Sequence, residues 1–121
     1  IVAYSKMLLL ALEAADQLSR EGIEVEVIDP RTLKPLDLPT IVASVKKTGR
    51  LVIVEEGWRF CGLGAQIAES VYAEAFDYLD APIQRVTGEE VPMPYSRPLE
   101  NAAIPDKARV IKAVKAVCVA Q

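Results

Sequence analysis

A run of β-branched residues that stops at a proline constrains this chain more than any other feature. Residues 24–28 alternate glutamate with valine and end in Ile28, and Asp29 and Pro30 follow directly. Proline cannot donate to a β ladder and biases the preceding residue towards extended backbone, so we expect a buried strand that ends at Asp29. In open α/β sheets, ligands bind at this carboxyl edge of the strands. The loop from Pro30 to Pro35 is therefore predicted to lie at a functional edge.

Strand-like and helix-like segments alternate along the whole chain with short connections. Four segments read as strands: Ile1–Tyr4, Ile23–Ile28, Leu51–Glu55 and Ile83–Thr87. Amphipathic segments read as helices at residues 5–21, 37–47 and 65–78 and after Asp106, whereas residues 88–104 are predicted to be a long loop. In the first helix, the buried face is expected to hold Leu8, Ala11, Leu12, Ala15 and Leu18. Because parallel strands need helical, right-handed crossovers, this pattern predicts an α/β, three-layer α/β/α domain with a mostly parallel, four-stranded sheet in the order 2-1-3-4.

Composition excludes several classes of protein. The 121 residues suffice for one domain, and 51% hydrophobic with 26% charged residues is typical of a globular chain. The net charge of −3 carries no basic footprint for nucleic acid, and no apolar run has the length of a membrane span. The chain has no histidine, which excludes a Ser-His-Asp triad, a His-ligated metal and a His base within it.

The two cysteines and the chain start add two expectations. Cys61 and Cys118 lack C-x-x-C spacing and are expected to be free, mostly buried thiols in a reducing compartment. The sequence opens on an apolar run without Met and inside a predicted strand. We therefore interpret the chain as a fragment of a larger polypeptide.

The exit of the third predicted strand is rich in glycine and aromatic residues. Gly57, Gly62 and Gly64 precede a helix, but their spacing matches no phosphate-loop motif, so a tight turn is favoured over an anion site at the helix N-terminus. Trp58 and Phe60 in the same segment either fold over the core or face a partner.

The charged residues near the strand ends receive mostly structural interpretations. Glu55 and Glu56 are adjacent, so strand alternation sends them to opposite faces and they cannot form a facing acid pair. Asp29 and Arg31 are predicted to pair locally across Pro30. Asp80 is either a turn carboxylate or a docking charge for a basic partner.

Four segments, in order, resemble one family. They are residues 24–37, residues 46–58, Leu79–Pro82 followed by Arg85–Gly88, and Val91–Tyr95. Together they are similar to the C-terminal domain of the transketolase group, in the form found in the beta subunit of the pyruvate dehydrogenase decarboxylase component. The resemblance covers almost all of residues 1–121, which it identifies as one such domain.

The resemblance implies a thiamin-diphosphate enzyme that decarboxylates pyruvate and passes the acyl unit to lipoyl groups of an acyltransferase. Two alpha and two beta subunits would assemble in the bacterial cytoplasm or mitochondrial matrix. Thiamin diphosphate and magnesium would lie between the alpha subunit and the beta subunit's N-terminal domain. We therefore assign no catalytic, cofactor-binding or metal-binding residue to this chain and expect it to be inactive alone, without bound cofactor.

The same resemblance implies assembly and docking as the work of this domain. Trp58, Phe60, Met93 and Tyr95 are expected at an interface with the alpha subunit or a second beta subunit. Asp80 is expected to dock the basic subunit-binding domain of the dihydrolipoyl acyltransferase, at the opposite edge of the sheet. The family also has an antiparallel strand that would precede Ile1, so one sheet edge is expected to be uncovered.

Two alternatives remain open at this stage. One is the same domain in a branched-chain 2-oxo acid or acetoin dehydrogenase, or in a deoxyxylulose phosphate synthase, since no substrate-contacting residue is recognisable. The other is a free-standing flavodoxin-like binding module. Such a module would carry a phosphate loop after its first strand, and residues 5–8 lack the glycines for it.

Overall fold

The computed structural model describes residues 1–119. Its strands are β1 (Val2–Ala3), β2 (Val52–Trp58) and β3 (Gln84–Gly88). Its helices are α1 (Lys6–Arg20), α2 (Leu38–Thr48), α3 (Leu63–Ala75), α4 (Arg97–Ala103) and α5 (Lys107–Val119), with a 3-10 turn at Phe76–Tyr78.

The sheet is parallel but has three strands among residues 1–119, not the predicted four. Its order is β1-β2-β3, and Ile53 lies opposite Val2 on one side and Arg85 on the other. The predicted strand Ile23–Ile28 reaches it at one bridge, between Ile28 and Val2. In that register, residues 23–25 lie past the start of β1 at Val2 and have no β1 residue opposite them. The segment nevertheless lies beside β1, which is its place in the predicted order.

Helices cover both faces of the sheet, which confirms the three-layer α/β/α prediction. Met7, Leu18, Val54, Val110 and Val114 belong to one buried cluster, formed by α1, α5 and the sheet. On the opposite face, α2 and α3 contribute Ile41, Val45, Ile67 and Val71 to a second cluster with Val2 and Ile53. The strands β1 and β2 supply residues to both clusters because alternate side chains of a strand point to opposite faces.

The buried face of α1 is rotated from the predicted one. Its fully buried residues are Met7, Ala11, Ala14 and Leu18, at the i, i+4, i+7, i+11 spacing of one helical stripe. Leu12, which was predicted inside, is half exposed. The sequence offers leucines on neighbouring stripes, and packing against α5 and the sheet buries the stripe that contains Met7 and Ala14 and leaves Leu12 outside it.

The ends of α2 agree with the prediction. The Asp37 side chain accepts a hydrogen bond from the Thr40 N–H at 3.2 Å and caps the helix, with Pro39 in the first turn. Gly49 ends the helix in the left-handed conformation, with φ of 69°.

Three boundaries differ from the prediction. Residues 97–103, predicted to be loop, form α4, because Pro98 lies in its first turn, where the missing N–H costs no helical bond. β2 continues through Trp58, which lies opposite Gly88 after an irregularity in the ladder. The third helix begins at Leu63 and becomes a 3-10 turn at Phe76. No helix among residues 1–119 is long and apolar enough to cross a membrane.

Two leucines of α1 test this packing. Leu18 is fully buried and Leu9 is 65% exposed, so the same truncation samples core and surface of one helix. We expect Leu18→Ala to lower the free energy of unfolding by about 2–5 kcal/mol, through lost burial and a residual cavity. Leu9→Ala should change it by less than about 0.5 kcal/mol. Urea denaturation followed by circular dichroism measures both, and equal losses would contradict the assigned face.

Candidate functional site

The carboxyl edge of the sheet is organised around a buried carboxylate in β2, at the irregularity in the ladder that follows Val54. Glu55 is 1% exposed and is the one fully buried charged residue among residues 1–119. Its Oε2 accepts hydrogen bonds from the Tyr4 hydroxyl at 2.9 Å and from the Gly64 N–H at 2.8 Å. Its Oε1 accepts from Arg85 Nη2 at 2.6 Å. One side chain therefore joins the exits of β1 and β2, strand β3 and the start of α3.

The tyrosine of this network is held in its protonated form. Burial, and then the adjacent Glu55 carboxylate that accepts its hydrogen bond, raise the pKa of the Tyr4 hydroxyl above its ordinary value. Tyr4 thus remains a hydrogen-bond donor to Glu55 at neutral pH. It is not a candidate base, and the structural role predicted for Glu55 agrees with this arrangement.

The glycines after β2 leave room for this network. A Cβ on Gly64 would lie 2.5 Å from Glu55 Oε1, and one on Gly62 would lie 2.7 Å from Arg85 Nη2. No such limit applies at Gly57, where a Cβ would meet nothing within 4 Å. The sequence favoured a tight turn, whereas the structure shows that Gly62 and Gly64 are needed for close packing: Gly62 against the Trp58 carbonyl and Arg85, and Gly64 against Glu55.

The N-terminus of α3 does not fit a diphosphate group. The Gly64 N–H, which would face such an anion, already donates to the carboxylate of Glu55. That carboxylate fills the position at the helix N-terminus and would repel a second anion. Among residues 1–119, no group of three or more His, Cys, Asp or Glu could hold a metal ion.

Backbone strain is concentrated at the same edge. Ser5, Arg31 and Cys61 have φ angles of 55°, 61° and 52°, in the left-handed region that favours glycine. Each follows the end of a different strand segment: β1, Ile28 and β2. The Arg31 loop is further fixed by Asp29, which accepts from the Arg31 N–H at 2.9 Å and pairs with its guanidinium at 3.5 Å, as predicted. Strained residues of this kind cluster at functional sites.

The four residues predicted at a subunit interface are all exposed. Phe60 is 75% exposed, and Trp58, Met93 and Tyr95 are each at least half exposed. We call these four residues the edge patch. Trp58 ends β2, Phe60 follows it, and Met93 and Tyr95 lie in the segment after β3. The segments after the two strands are joined by a hydrogen bond from the Phe60 N–H to Glu90 Oε1 at 2.9 Å. None of the four residues packs into the domain's own core.

Exposed apolar residues that sequence reasoning missed adjoin these positions in the chain. Val91 and Leu99 are exposed, in the loop after β3 and in α4. On another part of the surface, Phe76 and Tyr78 are exposed around the 3-10 turn. The sequence could have indicated that Val91 is exposed, because Val91 lies two residues from Met93 in the same proline-rich loop. The exposure of Phe76 depends on where α3 ends, which the sequence pattern does not define.

Asp80 lies at the opposite, amino edge of the sheet, before β3. Its N–H donates to the Gly49 carbonyl at 2.8 Å, and its carboxylate lies 3.6 Å from Arg50 Nη1. Arg50 also donates to the Val117 carbonyl at 2.9 Å, so it links this corner to α5. The side chain of Asp80 is 62% exposed and accessible to a partner. Sequence reasoning missed Arg50 because the two residues meet only through the fold.

The cysteine prediction is partly wrong. Both thiols are free, but Cys61 is exposed and Cys118 is only partly buried. Cys61 lies in the turn over the Glu55–Arg85 pair, and that turn leaves its side chain outside the core.

Comparison with known proteins assigns the family. The family model described as "Transketolase, C-terminal domain" matches residues 1–110. The chain belongs to the transketolase C-terminal domain family. This membership favours the transketolase-type interpretation over a free-standing flavodoxin-like module.

Individual relatives agree with that assignment. The chain is 58% identical over 118 residues to "Pyruvate dehydrogenase E1 component subunit beta" of Rickettsia bellii, covering 98% of this chain and 36% of that protein. It is 52% identical to "Pyruvate dehydrogenase E1 component subunit beta-2, mitochondrial" of Oryza sativa, covering 98% of this chain and 31% of that protein. The transketolase C-terminal domain described here thus spans about a third of the length of these curated relatives.

A solved structure shares the fold. The structure titled "Split gene transketolase, inactive beta4 tetramer" superposes with a TM-score of 0.80 and 34% sequence identity. The superposition covers 99% of this chain and 38% of the chain in that solved structure.

Two glycines test the close packing over Glu55. We expect Gly64→Ala to lower the free energy of unfolding by about 1–3 kcal/mol, because its Cβ would overlap a buried, hydrogen-bonded carboxylate. Gly57→Ala, at an open position seven residues earlier, should change it by less than about 0.5 kcal/mol. Thermal denaturation of the two variants gives the comparison. A neutral Gly64→Ala would show that Glu55 moves freely and does not define the turn.

Proposed function

We propose that this domain serves assembly and partner docking in a thiamin-diphosphate-dependent pyruvate dehydrogenase decarboxylase component. The observation that carries the proposal is the edge patch: four large apolar side chains exposed at the end of β2 and in the segments that follow β2 and β3. Aromatic residues and methionine are enriched in the cores of protein interfaces. A soluble domain that exposed them permanently would risk aggregation, so a partner surface is the physical reason to retain them.

The proposed partners are an alpha subunit and a second beta subunit. Two lines of support bear on this. Relatives across the full length of this chain are named as beta subunits of a multi-subunit component. The structural neighbour is titled as a tetramer of beta chains, which supports packing of beta on beta.

Catalysis and cofactor binding are proposed to lie outside this chain. Thiamin diphosphate and magnesium would be held by the alpha subunit and by the N-terminal part of a longer beta subunit. The engagement of the α3 N-terminus by Glu55 supports this division, because the Gly64 N–H is committed to that carboxylate and a second anion there would be repelled. The role of this domain toward the cofactor is then indirect, through the arrangement of the subunits that bind it.

The proposed substrate is pyruvate rather than a branched-chain 2-oxo acid or acetoin. The names of the relatives support this choice at 50–58% identity. They include bacterial and mitochondrial proteins, which supports a bacterial cytoplasm or a mitochondrial matrix as the compartment.

Asp80 is proposed to dock the basic subunit-binding domain of the acyltransferase. Its exposed carboxylate lies at the amino edge of the sheet, away from the edge patch, so docking would not compete with subunit assembly. Arg50 neutralises part of this charge at 3.6 Å. A basic partner residue would therefore compete with Arg50 for the carboxylate.

Two phenylalanines test the interface assignment. In the assembled enzyme, we expect Phe60→Ala to weaken subunit association by about 1–3 kcal/mol, because it removes an aromatic anchor of the edge patch. Phe76→Ala is the matched control, since Phe76 is 66% exposed on a different surface. Sedimentation velocity over a dilution series measures association. If both variants assemble like the parent, or both weaken it equally, the edge patch is not the interface.

Two aspartates test the docking assignment. Asp80→Asn in the assembled enzyme should weaken acyltransferase binding by about 1 kcal/mol for a rim charge, or about 2–5 kcal/mol for a desolvated pair. The loss should shrink as salt rises, since exposed charges are screened. Asp77→Asn removes the same charge three residues earlier and should have a smaller effect. Calorimetric titration at low and high salt decides, and an unchanged affinity at low salt would reduce Asp80 to a turn residue paired with Arg50.

A further inference from the structure

The Glu55 network holds both ends of the segment that carries Trp58 and Phe60. We call residues 58–62 the aromatic loop. Glu55 lies three residues before the loop, and the N–H of Gly64, two residues after it, donates to the Glu55 carboxylate at 2.8 Å. Residues of the Glu55 network therefore flank the loop on both sides.

The side contacts of the aromatic loop return to the same place. Arg59 Nη1 donates to the carbonyl of Arg85, the ion-pair partner of Glu55, at 3.1 Å. Gly62 lies so close over this pair that a Cβ would come within 2.9 Å of Glu55 Oε1. Contacts with the Glu55–Arg85 pair thus determine the path of the loop.

The pair is poorly suited to a role in stability alone. The side chain of Arg85 is 12% exposed, and its Nε is buried without a hydrogen-bond partner. Desolvation offsets most of the attraction in a buried ion pair, and apolar replacements of such pairs are often neutral or stabilising. What a buried pair does supply is geometry, because each donor and acceptor must be met in one arrangement.

We propose that Glu55 is a positioning residue for subunit assembly. It fixes the aromatic loop in the conformation that presents Trp58 and Phe60 to the partner subunit, without touching the partner itself. This inference rests on the proposed function of the edge patch. It adds that the interface depends on a buried charge beneath it as well as on the aromatic side chains within it.

Glu55→Gln is the informative substitution. An amide keeps the shape of the side chain but replaces one acceptor oxygen by an NH₂ donor. Whichever way the amide turns, this donor faces either the Gly64 N–H or Arg85 Nη2, both of which are donors, so one anchor of the loop is lost. Glu56→Gln is the matched control, because it makes the same change at the next residue, on the other face of β2.

Trp58 reports the state of the loop directly, since it is the one tryptophan of the 121-residue chain. We expect Glu55→Gln to remain folded by circular dichroism and to show faster nanosecond depolarisation of Trp58 fluorescence than the parent. In the assembled enzyme, the same variant should weaken subunit association about 10-fold, a change of about 1.4 kcal/mol. Glu56→Gln should match the parent in both measurements.

The possible outcomes separate this proposal from the one it rests on. A folded Glu55→Gln with unchanged Trp58 depolarisation, or with unchanged association, overturns the positioning role. Trp58→Ala is measured alongside: if it leaves association unchanged, the interface assignment itself fails. If Glu55→Gln does not fold, Tyr4→Phe replaces it, because it removes only the 2.9 Å hydrogen bond to Glu55. Faster depolarisation of Trp58 fluorescence than in the parent then supports the proposal, and unchanged depolarisation overturns it.

Discussion

The carboxylate of Glu55 is the interaction on which the carboxyl edge of this domain depends. It binds the Tyr4 hydroxyl, the Gly64 N–H and the Arg85 guanidinium, so one side chain ties together three strands and a helix. A carboxylate at 1% exposure is tolerated because charged hydrogen bonds and the positive end of α3 replace its water. The path of the aromatic loop, the two close glycines and the direction of α3 all follow from this replacement of water by protein groups around Glu55.

This dependence explains sequence features that have no cause when taken separately. Gly62 and Gly64 lie between a strand and a helix, where an anion could bind, yet the anion they accommodate is the domain's own Glu55. Tyr4 lies at the exit of β1, where its pKa is raised and its proton is committed to the same carboxylate. An internal anion at a helix N-terminus thus occupies the place where α/β proteins commonly bind an external one. The edge is left to interact through its apolar surface.

The sequence was sufficient where the deciding interactions are local, and insufficient where they are long-range. The Asp37 cap, the Gly49 helix end and the Asp29–Arg31 pair each involve residues within a few positions, and each was predicted. The parallel order was also predicted, since crossover rules leave few topologies. The buried stripe of α1 was not predicted, because packing against α5 decides which of several leucines is buried. Helix α4 was missed because residues 88–104 hold three prolines and show no helix or strand period, although the first turn of a helix tolerates Pro98. For the site, the edge patch and Asp80 were named from the sequence, whereas the partners of Glu55 come from positions 4, 64 and 85 and meet only in the folded chain.

The fold keeps the two proposed contacts apart. The edge patch lies at the carboxyl ends of β2 and β3, and Asp80 lies before β3 at the amino end. A seven-residue strand such as β2 separates these edges by about 20 Å, well beyond a Debye length at physiological salt. A charge change at Asp80 is therefore only weakly felt at the edge patch. The two edges nevertheless belong to one rigid sheet. The proposed docking site and the proposed assembly surface therefore keep a fixed relative position, although they are not energetically coupled.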